Sequence, residues 1–444
     1  LKKGGNSKAK TPRELALHLL ARVERKGAYA DRLLSSLQVL VLERRDRLFL
    51  RELVLGVLRW KLRLDHIIDS YYTNTSGSLQ HNVRMIVRLG LYQMIFMDSV
   101  PDRAAVNESV EIAARHYGKK TAGLVNALLR RFSREGEPEI SSSEPVEKLG
   151  VEYSFPQWIV ERWLASYGAE TAEAIMKAGN EKHPVSIRTN ATKIDSELLA
   201  KELSKEGFEA SVSSGMQGYL TVFKGDGIFG TSAFTNGLFA VQDAASAMAA
   251  LLLSPEAGDV ILDCCSAPGG KTTHCAEIAG DDAKIDALDI NPGRLDLVKK
   301  AAKRLGLRSI HCFEGDAVTF KSETDTHYDR ILCDVPCTGT GVFSKRPDMK
   351  WRKEAKDVAR MASLQKSILD NAASLVKPGG VIVYSTCSLE PEENEDIVKR
   401  FIHEHDFSVE KDDRFKNFEI EGGYLILPQL MDGTGAFASK LRRI

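Results

Sequence analysis

From Thr11 to about Phe132 apolar residues recur at three- and four-residue intervals, the spacing of an amphipathic helix. In "TPRELALHLLARVERKG", Leu15, Leu19 and Val23 share one face, Thr11 and Pro12 supply a cap and first turn, and Gly27 supplies a stop. "RDRLFLRELVLGVLRW", "HNVRMIVRLGLYQMIFM" and "AVNESVEIAARHYG" repeat the pattern without β-branched alternation, which predicts an all-α domain over residues 1–140. "SREGEPEISSSEPVEKLG" reads as a linker. Helical pieces around "FPQWIVERWLASYG", strands at "HPVSIRTN" and "GYLTVFKG", and a helix at "IDSELLAKELSKEGF" predict a small α+β domain over residues 141–242. Beyond it, "DVILDCC", "KIDALDI", "SIHCFEGD", "YDRILCDVP" and "GGVIVYSTC" alternate with helical stretches. That order predicts an α/β doubly wound parallel sheet over residues 243–444, with a C-terminal hairpin at its edge.

Composition changes this picture in three ways. No apolar run is long enough to span a bilayer, and "LKKGGNSKAK" has no apolar core of a secretory signal. The seven cysteines are odd in number and confined to Cys264–Cys387, so they read as reduced thiols of a cytoplasmic protein; their spacing suits no zinc site, and no metal or membrane partner is expected. The net charge of zero conceals an asymmetry: residues 1–134 carry 25 Lys+Arg against 12 Asp+Glu, and the remainder 36 against 49. A basic first third on an acidic remainder fits a polyanion-binding module joined to something else.

"ILDCCSAPGGKTTHCAEIA" joins the first strand of the parallel sheet to its helix through a Pro-Gly-Gly turn. Consecutive glycines allow close backbone approach, and the helix start presents free N–H groups. Cys265 stands where a phosphate-binding P-loop needs its first glycine, and the dinucleotide pattern G-x-G-x-x-G is absent. S-adenosylmethionine, which has no pyrophosphate to cradle, fits better. Asp289, Asp316 and Asp334 close the next three strands and line one crevice. Asp289 is placed to take the ribose hydroxyls and Asp316 to reach the adenine edge.

Two cysteines narrow the chemistry further. Cys337 in "DVPCTGTG" follows the fourth strand and Cys387 in "STCS" ends the fifth. Methylating oxygen or nitrogen needs no thiol. Carbon 5 of cytosine does, because a thiolate must first add to C6 to make C5 nucleophilic, and a base must later remove the C5 proton. On neighbouring strands the two tips lie about 5 Å apart, so either thiol could attack, and Asp334 could hydrogen-bond cytosine N3. Cys264, Cys275, Cys312, Cys333, His274 and His311 read as structural.

Together "DCCSAPGGKT", "DVPCTGTG", "RPDMKW" and "YSTCSLEPEENE" resemble the RsmB (Sun/Fmu) family of bacterial small-subunit ribosomal RNA cytosine-5 methyltransferases, over essentially the whole chain. The first third, ending "TAGLVNALLRR", resembles NusB, an RNA-binding antitermination factor. The resemblance implies a NusB-like RNA-binding domain, a small RNA-binding linker domain and a Rossmann-like donor domain acting on 16S ribosomal RNA. It implies Cys387 as nucleophile and Cys337 as the cysteine assisting release. It also implies that Cys265, Ser266, Ala267, Pro268, Gly269, Gly270 and Lys271 form the methionine-side loop, with Asp289, Asp316 and Asp334 as further donor contacts.

In "SKRPDMKWR", Lys345, Arg346, Lys350 and Arg352 around Trp351 fit phosphate contacts and base stacking, or equally a solvated loop with its indole turned inward. Glu392 and Glu393 read as favourable charges at a helix start rather than catalytic acids. A competing reading is a NusB-like RNA-binding assembly adaptor with a degenerate cofactor domain. The intact cysteines and aspartates argue against it, and two accessory domains argue against a small-molecule methyltransferase.

Overall fold

The computed structural model describes residues 11–72, 77–213, 215–223, 227–322, 327–431 and 433–444. The basic N-terminal stretch and the end of the "GYLTVFKG" strand lie outside the described residues. No helix among the described residues is long and apolar enough to cross a membrane. The chain packs as two compact units: residues 1–180 with 346–352, and residues 181–345 with 353–444. The boundaries of three modules at 140 and 242 remain our proposal.

The first unit is helical, as its periodicity predicts. The helix Pro12–Lys26 opens with a capping box, in which Thr11 and Glu14 satisfy each other's backbone N–H, and closes at Gly27 in the left-handed conformation. Leu15, Leu19, Leu20 and Val23 face a core shared with Leu50, Leu53, Val54 and Val57 from the helix Arg44–Arg59. Arg88, only 3% exposed, is held by both oxygens of Asp65 at 2.7 and 2.6 Å and by Glu24 at 2.8 Å. Part of the basic surplus is thus spent on internal ion pairs.

The loop Arg346–Arg352 decides between the two readings its composition left open. It is part of this helical unit, and its basic residues are committed to protein. Lys350 is fully buried; its ammonium donates to Asn180 Oδ1 at 2.6 Å, Arg59 O at 3.3 Å and Ser154 O at 3.4 Å, and sits over the Phe155 ring. Trp351 donates to Leu58 O at 2.6 Å and packs against the helical core. Arg352 donates to Gly27 O and Ala28 O, and Arg346 pairs with Asp31. The indole is turned inward and the basic side chains are paired within the protein.

In the second unit the strands among the described residues form two sheets. Strands β1 (Val185–Thr189), β2 (Ala210–Val212), β3 (Tyr219–Val222) and β4 (Phe239–Val241) make an antiparallel sheet in the order β2-β3-β1-β4. The larger sheet uses β5 (Val260–Asp263), β6 (Lys284–Asp289), β7 (Ile310–Glu314), β8 (Tyr328–Asp334) and β9 (Val376–Thr386), followed by β10 (Phe407–Val409), β11 (Glu419–Ile420), β12 (Gly423–Ile426) and β13 (Ala436–Arg443). Its order is β11-β12-β13-β9-β8-β5-β6-β7, parallel from β9 to β7. Ile261, Leu262, Ile285, Ala287, Ile331, Leu332, Ile382 and Val383 are fully buried, as strands covered on both faces require. The hairpin β12–β13 joins antiparallel to β9. The chain leaves β5 for β6 on one side and returns to β8 on the other. The crevice between the carboxyl ends of β5 and β8 is therefore the topological switch point, where sheets of this kind bind ligands.

A buried ion pair ties the small sheet to the helix Gly270–Ile278 that follows β5. Arg188 on β1 meets both oxygens of Glu277 at 2.8 Å, donates to Gly270 O at 2.8 Å and Thr273 Oγ1 at 3.1 Å, and also bonds Gln242. The start of that helix is thus held from behind.

Candidate active site

The loop between β5 and its helix is shaped by its own backbone. Ser266 N–H donates to Leu288 O at 2.9 Å and Gly269 N–H to Ser266 O at 2.7 Å, which folds the segment into a tight turn at the switch point. Gly269 has φ 102°, where an L side chain is strained, and a Cβ there would also meet Val298 Cα at 3.1 Å. Pro268 is exposed at the apex, while Ser266, Ala267 and Gly269 are buried. The buried Ser266 hydroxyl has no hydrogen-bond partner among the described residues. A polar atom left in that position fits a loop built to face a polar ligand.

Asp289, 4% exposed, closes β6 against this loop. Its oxygens accept from Asn291 N at 2.9 Å and Ala267 N at 3.3 Å, and Arg294 stands 3.6 Å away. Directly beyond it Ile290 is 66% exposed, an apolar surface beside a buried acid that periodicity alone does not mark. Asp316 lies two residues past β7, exposed, and its carboxylate accepts from Val318 N of its own turn at 2.9 Å. Hydrogen bonds tie Cys265–Lys271, Asp289 and Asp334 into one constellation. Asp316 is tied to its own turn.

Lys271 links the loop to the cysteines. Its ammonium donates to Asp334 Oδ2 at 2.7 Å, and Ser385 Oγ donates to the other oxygen at 2.9 Å. Burial is the largest single influence and works against the Lys271 charge, but Asp334, with Cys387 and Asp263, outweighs it and the ammonium pKa is raised. Asp263 at the end of β5 accepts from Thr272 Oγ1 at 2.6 Å and Cys265 N at 3.4 Å, and joins the site residues that the sequence expectations omit. Burial pushes its carboxyl up to about 7. The signal is present in "ILDCC", where Asp263 holds the same strand-end position as Asp289 and Asp334.

The neighbouring strands β8 and β9 bring Asp334 opposite Ser385 and place Cys337 and Cys387 beyond their ends. The two sulfurs are 3.1 Å apart. The hydrogen bond donated by the Cys337 thiol lowers the Cys387 pKa, burial and Asp334 oppose it, and Lys271 assists. Cys337 is raised well above its ordinary value, first by its bond to Cys387 and then by burial. The pair therefore favours a thiolate on Cys387 beside a thiol on Cys337. The loops meet closely here: Gly341 N–H donates to Cys387 O at 2.9 Å, and a Cβ on Gly341 would stand 2.8 Å from that oxygen. A cavity of about 130 Å³ opens at Cys387, lined also by Lys271, Asp243, Ser385, Thr386 and Phe437.

The other cysteines stand apart from this pair. Cys264 and Cys333 are buried with sulfurs 3.8 Å apart, Cys275 is buried, and burial raises the half-buried Cys265 thiol well above its ordinary value. His274 is buried, which lowers its pKa well below the usual value, and His311 is exposed. Glu393 departs from its expected place. It is fully buried and accepts from Thr338 N–H and from the Thr338 and Ser388 hydroxyls beside the cysteines, so it is no solvated charge at a helix start.

Comparison with known proteins agrees with this architecture. Residues 250–442 match the family model described as 16S rRNA methyltransferase RsmB/F, residues 10–134 match the NusB family, and residues 155–223 match a ferredoxin-like domain of RsmF/B-like methyltransferases. The chain is 38% identical to the "Probable ribosomal RNA small subunit methyltransferase B" of Bacillus subtilis (strain 168), covering 97% of this chain and 98% of that protein. It is 33% identical to the "Ribosomal RNA small subunit methyltransferase B" of Salmonella newport (strain SL254), covering 88% and 89%. Among solved structures, PH0851 superposes with TM-score 0.82 at 26% identity, covering 99% of this chain and all of that one. NSun6 from Pyrococcus horikoshii, solved with SFG, superposes with TM-score 0.59 at 25% identity, covering 66% and 99%.

Proposed function

Since the chain belongs to the family of ribosomal RNA small subunit methyltransferase B, we propose that it methylates C5 of a cytosine in 16S ribosomal RNA through a covalent bond between Cys387 and C6. The observation that best supports this is the cysteine pair: two thiols 3.1 Å apart, on neighbouring strand ends, beside an ammonium–carboxylate pair. An adaptor with an inactive donor domain has no use for that arrangement.

S-adenosylmethionine is the cofactor and, when bound, supplies the methyl group that C5 accepts. The backbone from Cys265 to Lys271 and the Ser266 hydroxyl hold its methionine side, Asp289 its ribose hydroxyls and Asp316 its adenine edge. The fit rests on the positive-φ glycine turn and the unpartnered buried hydroxyl. Asp334 belongs to both sites.

Cys387, as thiolate, adds its electron pair to C6, and the ring electrons move toward N3. The Lys271–Asp334 pair presents a hydrogen-bonded proton to the charge that gathers there. Once the C5–methyl bond is made, the donor's sulfonium–methyl bond having broken to leave a neutral thioether, a base takes the C5 proton, the C5=C6 double bond re-forms, and the C6–sulfur bond breaks to return the thiolate. Cys337 assists this release. Once Cys387 is bonded to carbon it is no longer a thiolate accepting from Cys337, so the second thiol is free to act.

The basic first third, with 25 Lys+Arg against 12 Asp+Glu, holds RNA phosphates, and the seven free thiols support a reducing, cytoplasmic setting. The test uses ribosomal RNA, S-adenosylmethionine and denaturing electrophoresis. Cys387→Ala is expected to form no adduct and to lose methyl transfer. Cys337→Ala is expected to attack, methylate and stall as a Cys387-dependent protein–RNA adduct. An adduct in Cys387→Ala that vanishes in Cys337→Ala reverses the roles. Unchanged turnover in both variants removes the covalent route.

A further inference from the structure

Glu393 is fully buried, yet the donors to its carboxylate are all neutral. Oε1 accepts from the hydroxyls of Thr338 and Ser388, the latter at 2.7 Å; Oε2 accepts from Thr338 N–H at 2.9 Å and Gln365 Nε2 at 2.8 Å. Four donations match the acceptor-only inventory of an ionised carboxylate. Thr338 directly follows Cys337, and Ser388 directly follows Cys387. Gln365 adds a bond from its amide to Pro336 O at 2.9 Å, so the residue before Cys337 is held by the same knot. On the other side, Tyr384 in β9 donates to the Glu393 carbonyl at 2.6 Å, which fixes the backbone of the carboxylate's own residue.

We propose that Glu393 is a positioning residue for the cysteine pair, its carboxylate clasping the turn after Cys337 to the turn after Cys387 and so setting the distance between the two sulfurs. The consequence for turnover rests on the covalent reading above; the geometric role does not. The position is costly in one respect, since a negative charge here raises the pKa of both thiols. The other charged groups facing Cys387 are Lys271, which lowers its pKa, and Asp334, which raises it.

That opposition makes the proposal decidable. If Glu393 were a bystander charge, Glu393→Gln would remove a negative neighbour and lower the Cys387 pKa. If it positions the pair, the Gln amide sets donor against donor at Thr338 or Ser388 and the turns part. Cys387 then loses the hydrogen bond from Cys337, and its pKa rises. The experiment uses the full chain and follows alkylation of Cys387 by iodoacetamide against pH, read by peptide mass spectrometry. Diamide-driven disulfide formation between Cys337 and Cys387 is measured alongside it as a gauge of proximity.

Glu393→Gln is expected to slow Cys387 alkylation at neutral pH and reduce disulfide yield, each by about tenfold. A folded variant with an unchanged or lowered Cys387 midpoint and wild-type disulfide yield overturns the proposal. Should Glu393→Gln fail to fold, Thr338→Val decides. It removes one hydroxyl donor, retains the N–H bond, and is expected to shift both readouts the same way by a smaller factor. No shift in Thr338→Val overturns the proposal equally. Neither readout involves RNA, so coupled thiols in the wild type together with no RNA adduct in Cys337→Ala would sink the covalent reading and leave the Glu393 role standing.

Discussion

The Lys271 ammonium lies 2.7 Å from Asp334 Oδ2 and shares a cavity wall with Cys387, so one cation serves both a carboxylate and a sulfur. Without it, Asp334 would be a bare negative charge beside the thiol that must ionise. Lys271→Met is therefore expected to raise the Cys387 pKa and slow its alkylation at neutral pH on the order of tenfold. Peptide-resolved alkylation kinetics check this, and an unchanged rate would remove Lys271 from support of the thiolate.

Asp289 is oriented by two backbone N–H groups and faces the turn built around Gly269. Asp289→Ala is expected to weaken S-adenosylmethionine binding by roughly 1–3 kcal/mol, the penalty for leaving polar groups unpaired. Calorimetry on the folded variant reads this directly. Undiminished affinity would exclude Asp289 from the donor site.

Asp263 yields a pH prediction of definite sign. Burial raises its carboxyl to about 7 in the folded chain, against about 3.9 when unfolded. The stability associated with its neutral form is fully present below the unfolded value and is lost as pH rises through about 7. Asp263→Asn is uncharged throughout, so its melting temperature should fall less than that of the wild type between mildly acidic and mildly alkaline buffer. Parallel thermal melts with equal slopes would contradict the assignment.

Arg188 and Glu277 form an ion pair with both side chains 2% exposed. Arg188→Met would leave Glu277 buried without its partner, a loss of about 3–5 kcal/mol. Urea unfolding should show a lowered midpoint at unchanged slope. A midpoint shift smaller than about 1 kcal/mol equivalent would mean that Glu277 finds another partner.

What the sequence made legible follows from what periodicity can carry. The long helices and the strands of four or more residues ending in Asp289, in Asp334 and just before Cys387 stand out. Strands of three residues, Ala210–Val212 and Phe239–Val241, did not, because alternation over so few positions has no contrast with a loop. Side-chain partnerships across the fold were equally hidden. Lys271 read as part of the donor loop, but its reach to Asp334 depends on β5 and β8 being neighbours. Glu393 sat among acids resembling a helix start, and only burial against Thr338 and Ser388 separates it from Glu392. Trp351 and its basic neighbours fitted an RNA-facing loop and an inward-packed one equally in composition, and only tertiary packing selects the second.

The placement of residues 346–352 in the helical unit has a consequence for biosynthesis. That unit is discontinuous along the chain: it needs residues 1–180 and then, after the 165 residues from 181 to 345, seven more. At roughly 5–20 residues per second, a ribosome takes on the order of ten to thirty seconds to bridge that gap. Throughout that interval the nascent helices lack the indole that bonds Leu58 O and the ammonium that gathers Asn180, Arg59 and Ser154. An expression fragment cut at residue 180 would remain in that unfinished state, with apolar surface open where Trp351 belongs. Supplying the missing heptapeptide in trans would be the way to complete it.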